Sequence, residues 1–251
     1  WKFRIGKDSV SILPDFRRRC PVVDPDDHHL FVSLGCAAEN LIQAAAAKGL
    51  RGVATFNADG DGSVDIALDP AKPVSSPLFE AIPFRQSTRS VYDGQPISSG
   101  DLQRMVEAGA GKGVRVHVLT EPKAMEQVLE CVIQGNTAQM QDRAFVRELK
   151  DWVRFNGAHA ARTGDGLFSG SSRTFAGGSG SSGNPSVPVW LGPLMFDLFF
   201  KQKTENEKYA RHIRSSAGVA VFVSERDDKS AWIETGRAFE RFALQASVLG
   251  I

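Results

Sequence analysis

Phe31-Val32-Ser33-Leu34-Gly35-Cys36-Ala37-Ala38-Glu39-Asn40-Leu41-Ile42-Gln43-Ala44-Ala45-Ala46-Ala47-Lys48-Gly49-Leu50 aligns with Trp232-Ile233-Glu234-Thr235-Gly236-Arg237-Ala238-Phe239-Glu240-Arg241-Phe242-Ala243-Leu244-Gln245-Ala246-Ser247-Val248-Leu249-Gly250-Ile251. The offset is constant, Gly35 matching Gly236, and Gly, Ala, Glu, Ala and Gly recur in step. Small residues on one face let two helices approach closely. A mid-helix Gly costs about 1 kcal/mol relative to Ala, so its recurrence asks for a packing reason. The pattern points to a duplication: two fused copies of one unit, rebuilding in one chain what would otherwise be a symmetric dimer. The two helices are expected to lie against each other near a pseudo-two-fold axis at Gly35 and Gly236. The repeats divide as residues 1–77 and 78–251, the second carrying a Gly/Ser-rich surface loop over 164–186.

Working outward, Lys2 to Ile5 and Ser9 to Leu13 read as a hairpin. Asp24-Pro25-Asp26-Asp27 precedes a helix from about Asp27 to Lys48, where acidic residues suit the dipole and Gly49 is a natural C-cap. Arg51–Phe56 and Ser63–Leu68 read as strands about a turn, and 70–77 as a linker. A helix over Ser98–Ala110 and a strand over Val114–Thr120 follow, then helices over Pro122–Gln134 and Ala138–Phe155. Beyond the Gly/Ser loop, Glu205–Arg214 reads as helix, Ala217–Ser224 as a buried strand and Trp232–Leu249 as a final helix. The class is α+β with mixed strand pairing.

Lys and Arg number 30 against 29 Asp and Glu, a balance that gives no electrostatic case for nucleic acid or an anionic membrane as partner. No apolar run reads as long enough to span a bilayer. The cysteines, Cys20, Cys36 and Cys131, are odd in number and far apart, which suggests neither a disulfide framework nor a zinc site.

Three motif-like stretches carry little. Asn57-x-Asp59-x-Asp61-Gly62 imitates half of a calcium loop, but Leu68 stands where a bidentate Glu belongs, and a hairpin turn is the better reading. Gly109-Ala110-Gly111-Lys112-Gly113 lacks the first glycine and the hydroxyl of a phosphate loop. His28 and His29 point about 100° apart on a helix and rarely share a metal; one reads as buried or capping, the other as exposed. No metal ligand set and no catalytic side chain is assigned.

The chemistry concentrates in Arg85-Gln86-Ser87-Thr88-Arg89. Arg offers a rigid fork of donors that matches a phosphate edge, and a Ser hydroxyl completes such a shell. If the segment starts a helix, Arg85 and Arg89 share a face and free backbone N–H groups favour an anion. The competing reading is a solvated basic turn.

Arg85-Gln86-Ser87-Thr88-Arg89 resembles the Arg-x-Ser-x-Arg/Lys segment of the nitroreductase-like, FMN-binding superfamily. The small-residue helix ending in Gly-Leu or Gly-Ile is similar to that superfamily's central dimer-interface helix. The fused two-repeat, Acg-like branch fits best, and the resemblance covers most of the chain. It implies a nitroreductase-like pseudo-dimer with mixed sheets, monomeric in solution. It implies FMN as cofactor, with Arg85 and Ser87 on the phosphate, Gln86 beside them and Arg89 near N1 and O2 of the ring. Gly135-Asn136 resembles the step whose Asn reaches the pyrimidine edge, and Asp165-Gly166 the pair facing N5. Their other readings are a helix break and a loop turn.

Trp1 resembles the end of the family's Ser-x-x-Asn-x-Gln-Pro-Trp segment, and a family phosphate ligand would follow Ile251. On that resemblance both repeats are truncated, and Trp1–Ile251 alone is expected to bind FMN poorly. The implied activity passes electrons from NAD(P)H through FMN to a nitroaromatic, quinone or similar small-molecule acceptor. The alternative is a non-catalytic protein that sequesters or stores FMN under a lid. The compartment is open: cytoplasmic, or periplasmic if a twin-arginine signal precedes Trp1.

Overall fold

The computed structural model describes residues 1–88, 90–168 and 188–251. The chain is α+β. In order the elements are β1 (Lys2–Ile5), β2 (Ser9–Leu13), α1 (His28–Ala47), β3 (Leu50–Asn57), β4 (Ser63–Pro70), α2 (Pro77–Ala81), α3 (Ser99–Gly109) and β5 (Val114–Leu119). They continue with α4 (Pro122–Gln141), α5 (Arg143–Trp152), β6 (Val153–Arg154), α6 (Gly157–Thr163), β7 (Leu167–Phe168), α7 (Gly192–Phe199), α8 (Gln202–Ser215), β8 (Val219–Ser224) and α9 (Lys229–Leu249). They gather into two compact units. The first holds Trp1–Gln86, Ile97–Val118 and Ala220–Ile251; the second holds Ser87–Pro96 and Leu119–Val219.

In the first unit the strands order β1-β2-β4-β3, antiparallel throughout. Alternation aims one row, Phe3, Ile12, Val64 and Phe56, at a single face. Ile12 and Val64 are fully buried there with Phe31 and Leu34 of α1, and Ile233 of α9 joins the same cluster. The Asn57–Gly62 turn is a hairpin connection. Asn57 Oδ1 accepts from Asp59 N at 2.9 Å, and Gly60 and Gly62 take φ of 60° and 86°. Strands β5 and β8 pair as a two-stranded sheet.

Helix α1 begins differently from its acidic run's first promise. Asp27 sits left-handed at φ 62° and caps nothing with its side chain. Asp24 does that work, its carboxylate accepting from His29 N at 2.9 Å and Leu30 N at 3.0 Å. At the other end Gly49, at φ 78°, closes the helix as expected. His28 is half-buried against Trp232, ring centroids 4.7 Å apart, and His29 is exposed beside Asp24.

The α1 segment also corrects the expectation about apolar runs: its 20 residues are long and apolar enough, by length and composition alone, to cross a bilayer. Here that apolarity is spent in the core, where Phe31, Leu34 and Ala38 are fully buried between the sheet and α9.

Three further elements depart from expectation. The linker read over 70–77 is present over 71–76, but the helix α2 that follows it was not expected; Ser76 starts it, its Oγ accepting from Phe79 N at 3.1 Å. Helix α4 runs straight through Gln134-Gly135-Asn136, where a break was expected. Gly135 is open to solvent, so it lowers helix stability by only about 1 kcal/mol. The break falls instead at Asp142, whose Oδ1 accepts from Ala144 N at 2.7 Å. Strand β8 is half-exposed rather than buried. Phe222 packs on Phe239 and Phe242 while Val221 and Val223 face outward, as a two-stranded sheet with one covered face requires.

Candidate functional site

Helices α1 and α9 cross at their glycines. A Cβ on Gly35 would overlap the Ile233 carbonyl oxygen and lie 3.0 Å from Arg237 N. A Cβ on Gly236 would overlap the Val32 carbonyl oxygen and lie 3.2 Å from Cys36 N. Val32 aligns with Ile233 and Cys36 with Arg237 in the repeat, so the two contacts are reciprocal. Only hydrogen at Cα permits this approach. Cys36 Sγ donates to Gly236 O at 3.3 Å. Burial, and then the negative Glu240, push its thiol up to about 12.

The repeat's shared glutamates stand on this interface, both 2% exposed. Carboxylates buried that deeply need cations or several donors. Glu39 Oε2 takes Arg241 Nη1 at 2.8 Å and Arg237 Nε at 3.2 Å, and its Oε1 takes Gln43 Nε2 at 3.0 Å. Arg241 also donates to the Ala108 and Ala110 carbonyls at the end of α3. Glu240 is served differently. Its Oε1 accepts Asn40 Nδ2 at 3.0 Å and pairs with Arg85 Nε at 3.0 Å. Asn40 Oδ1 is buried without a hydrogen-bond partner among the described residues.

Arg85 reaches Glu240 because α2 ends just before it. Pro83 cannot continue a helix, and Phe84 N and Arg85 N both turn back to Ala81 O, at 2.9 and 3.0 Å. Ser76, at the start of α2, donates to Gln43 Oε1 of α1 at 2.8 Å, which ties α2 to the same network. Residues 85–88 are not helical, so the helix start that would have stacked Arg85 on the face of Arg89 is not formed. Arg89 lies outside the described residues, as does most of the Gly/Ser loop. Arg85 keeps 29% of its side chain exposed. Gln86, Ser87 and Thr88 are exposed.

The remaining sequence-derived residues fall in the second unit. Asn136, on α4, donates to Asn206 Oδ1 of α8 at 2.6 Å, beside Thr137, which accepts from Gln202 and Asn206. Gly135 is one residue before it with no neighbour within 4 Å of a Cβ. Asp165 binds Arg154, Oδ1 to Nη2 at 2.7 Å, and Arg154 is 8% exposed. Gly166, at φ 82°, lies against Trp152 O and the Arg154 guanidinium, where a side chain would not fit. Asp165 and Gly166 are thus brought together around Arg154, while Asn136 is held by a separate amide cluster.

Glu39, Glu240, Asn40, Arg237 and Arg241 were not among the residues expected at a site. Their signal was present: an acidic residue recurring on a small-residue face must find a counter-charge once that face is buried. Among the described residues no group of His, Cys, Asp and Glu is arranged to hold a metal ion. No protein-family model matches the chain, and no curated protein matches it.

Proposed function

We propose that this chain is an FMN-binding oxidoreductase of the nitroreductase type, built as two fused repeats in a pseudo-dimer about α1 and α9. The reciprocal crossing at Gly35 and Gly236 supports the pseudo-dimer. The observation that carries the cofactor reading is Arg85, which is paired through Nε with a buried carboxylate and keeps 29% of its side chain exposed. A guanidinium fits a phosphate, which its edge meets with two parallel hydrogen bonds.

In this proposal Arg85 holds the FMN phosphate, with Ser87 two residues along and Gln86 between them. Arg89 supplies positive charge beside N1 and O2 of the ring. FMN, when bound, supplies the electron transfer from NAD(P)H to a nitroaromatic, quinone or similar acceptor; the protein binds and orients it and tunes its potential. No side chain is assigned acid–base work.

Steady-state oxidation of NADH or NADPH by the FMN-loaded full-length protein, with a quinone as acceptor, tests the activity. Acceptor-dependent turnover is expected. Bound FMN without turnover would replace it with the storage reading.

A further inference from the structure

We infer that Glu240 is a positioning residue for the anion-binding Arg85, recruited because the symmetry of the α1–α9 crossing is broken at one pair of positions; this rests on the FMN reading above. Glu39 and Glu240 occupy equivalent places in the two helices, and both are 2% exposed. Under the reciprocity of the crossing, Arg241 binding Glu39 corresponds to Asn40 binding Glu240, and both bonds are present, at 2.8 and 3.0 Å. Likewise Arg237, which serves Glu39 at 3.2 Å, corresponds to Cys36. Helix α9 therefore meets the carboxylate of α1 with two guanidinium groups. Helix α1 meets the carboxylate of α9 with a neutral amide alone, Cys36 donating instead to Gly236 O.

Glu240 is left with a negative charge that its partner helix cannot neutralise. A carboxylate in that position draws in a cation from elsewhere, and the cation in contact is Arg85. The contact is made through Nε, and 29% of the Arg85 side chain stays exposed. A long Arg side chain otherwise has large rotamer freedom to lose on binding. Held by a buried Glu240 that is itself fixed by Asn40, Arg85 is preorganised to receive a phosphate. The same contact explains why one carboxylate of the crossing is closed by its partner helix and the other is open to the motif segment.

The test measures dissociation constants of the full-length protein for FMN and for riboflavin, by quenching of flavin fluorescence. Their ratio reads the phosphate and cancels contacts to the ring. The parent protein is expected to prefer FMN, and Arg85→Ala to reduce that preference by tenfold or more, as loss of a charge-assisted hydrogen bond of about 1.5–3 kcal/mol implies. Glu240→Gln keeps the shape and the Asn40 contact but removes the charge that orients Arg85, and is expected to reduce the preference about tenfold. Asn40→Arg gives Glu240 the in-helix cation that Arg241 gives Glu39. It is expected to lower the preference with the buried carboxylate still neutralised, an effect a merely structural role would not produce. A parent protein binding neither flavin overturns the FMN reading itself. A parent that prefers FMN through Arg85, with Glu240→Gln and Asn40→Arg both unchanged in ratio, leaves that reading standing and overturns the positioning role.

Discussion

Replacing Gly35 by Ala tests the helix crossing on which the fold is built. A Cβ there would lie 2.9 Å from the Ile233 carbonyl carbon and 3.0 Å from Arg237 N, with the carbonyl oxygen overlapped outright. All three are backbone atoms of a long helix, so no rotamer change relieves the clash. Relief requires α1 and α9 to part by roughly 1 Å, an overpacking displacement that typically costs about 1–3 kcal/mol. The same displacement lengthens the Arg241–Glu39 and Asn40–Glu240 bonds, adding about 1 kcal/mol or more for buried charge-assisted contacts. Better helix propensity returns about 1 kcal/mol. The net is a loss of about 2 kcal/mol, or a fall in Tm of about 4–8 °C for a chain of this size. Gly135→Ala is the matched control: mid-helix in α4, with nothing within 4 Å of a Cβ, it is expected to raise stability by up to about 1 kcal/mol. Differential scanning calorimetry of both variants decides the matter. A Gly35→Ala protein as stable as Gly135→Ala would mean that the helices do not meet at their glycines.

Two further outcomes follow from the first unit. Cys36, its thiol pushed up to about 12 by burial and by Glu240, is expected to resist a thiol-directed reagent at pH 8, where only about one in ten thousand is thiolate. Exposed Cys131 reacts, and mass mapping of the labelled cysteine distinguishes them. At the start of α1, burial raises the Asp24 carboxyl, but hydrogen bonds from His29 and Leu30 outweigh it and hold its pKa below the ordinary value of 3.8. A lowered folded pKa means stability that is present above the carboxylate range and lost as pH falls through it. Asp24→Asn should therefore be less stable than the parent by up to about 1 kcal/mol at pH 7, with the gap narrowing in urea titrations as pH falls below the ordinary carboxylate value; a gap independent of pH would assign the cap elsewhere.

Much of the first unit was legible because its signals are local or periodic. The Lys2–Leu13 hairpin, the α1 span, the Asn57–Gly62 turn and the α9 span follow from alternation, helical period and Gly punctuation, and the matched glycines pointed to the crossing. What was not legible depended on tertiary partners. Asp24 rather than Asp27 caps α1, because the chain bends back between them. Gly135 sits inside a helix, because a solvent-exposed Gly weakens a helix without breaking it. Arg85 was read as a phosphate ligand or as part of a solvated basic turn, and its pairing through Nε with a glutamate 155 residues later in the chain was not foreseen. The recurrent Glu39 and Glu240 were counted as marks of duplication; that burial would compel each to find a counter-charge was readable, but which arginine would answer was not.

The central claim, that the chain is a flavoprotein whose phosphate site includes Arg85, is tested most directly by the visible absorption spectrum of the full-length protein as purified. The account predicts a yellow protein with FMN released stoichiometrically on denaturation. A colourless protein that takes up no FMN when titrated with it would contradict the claim.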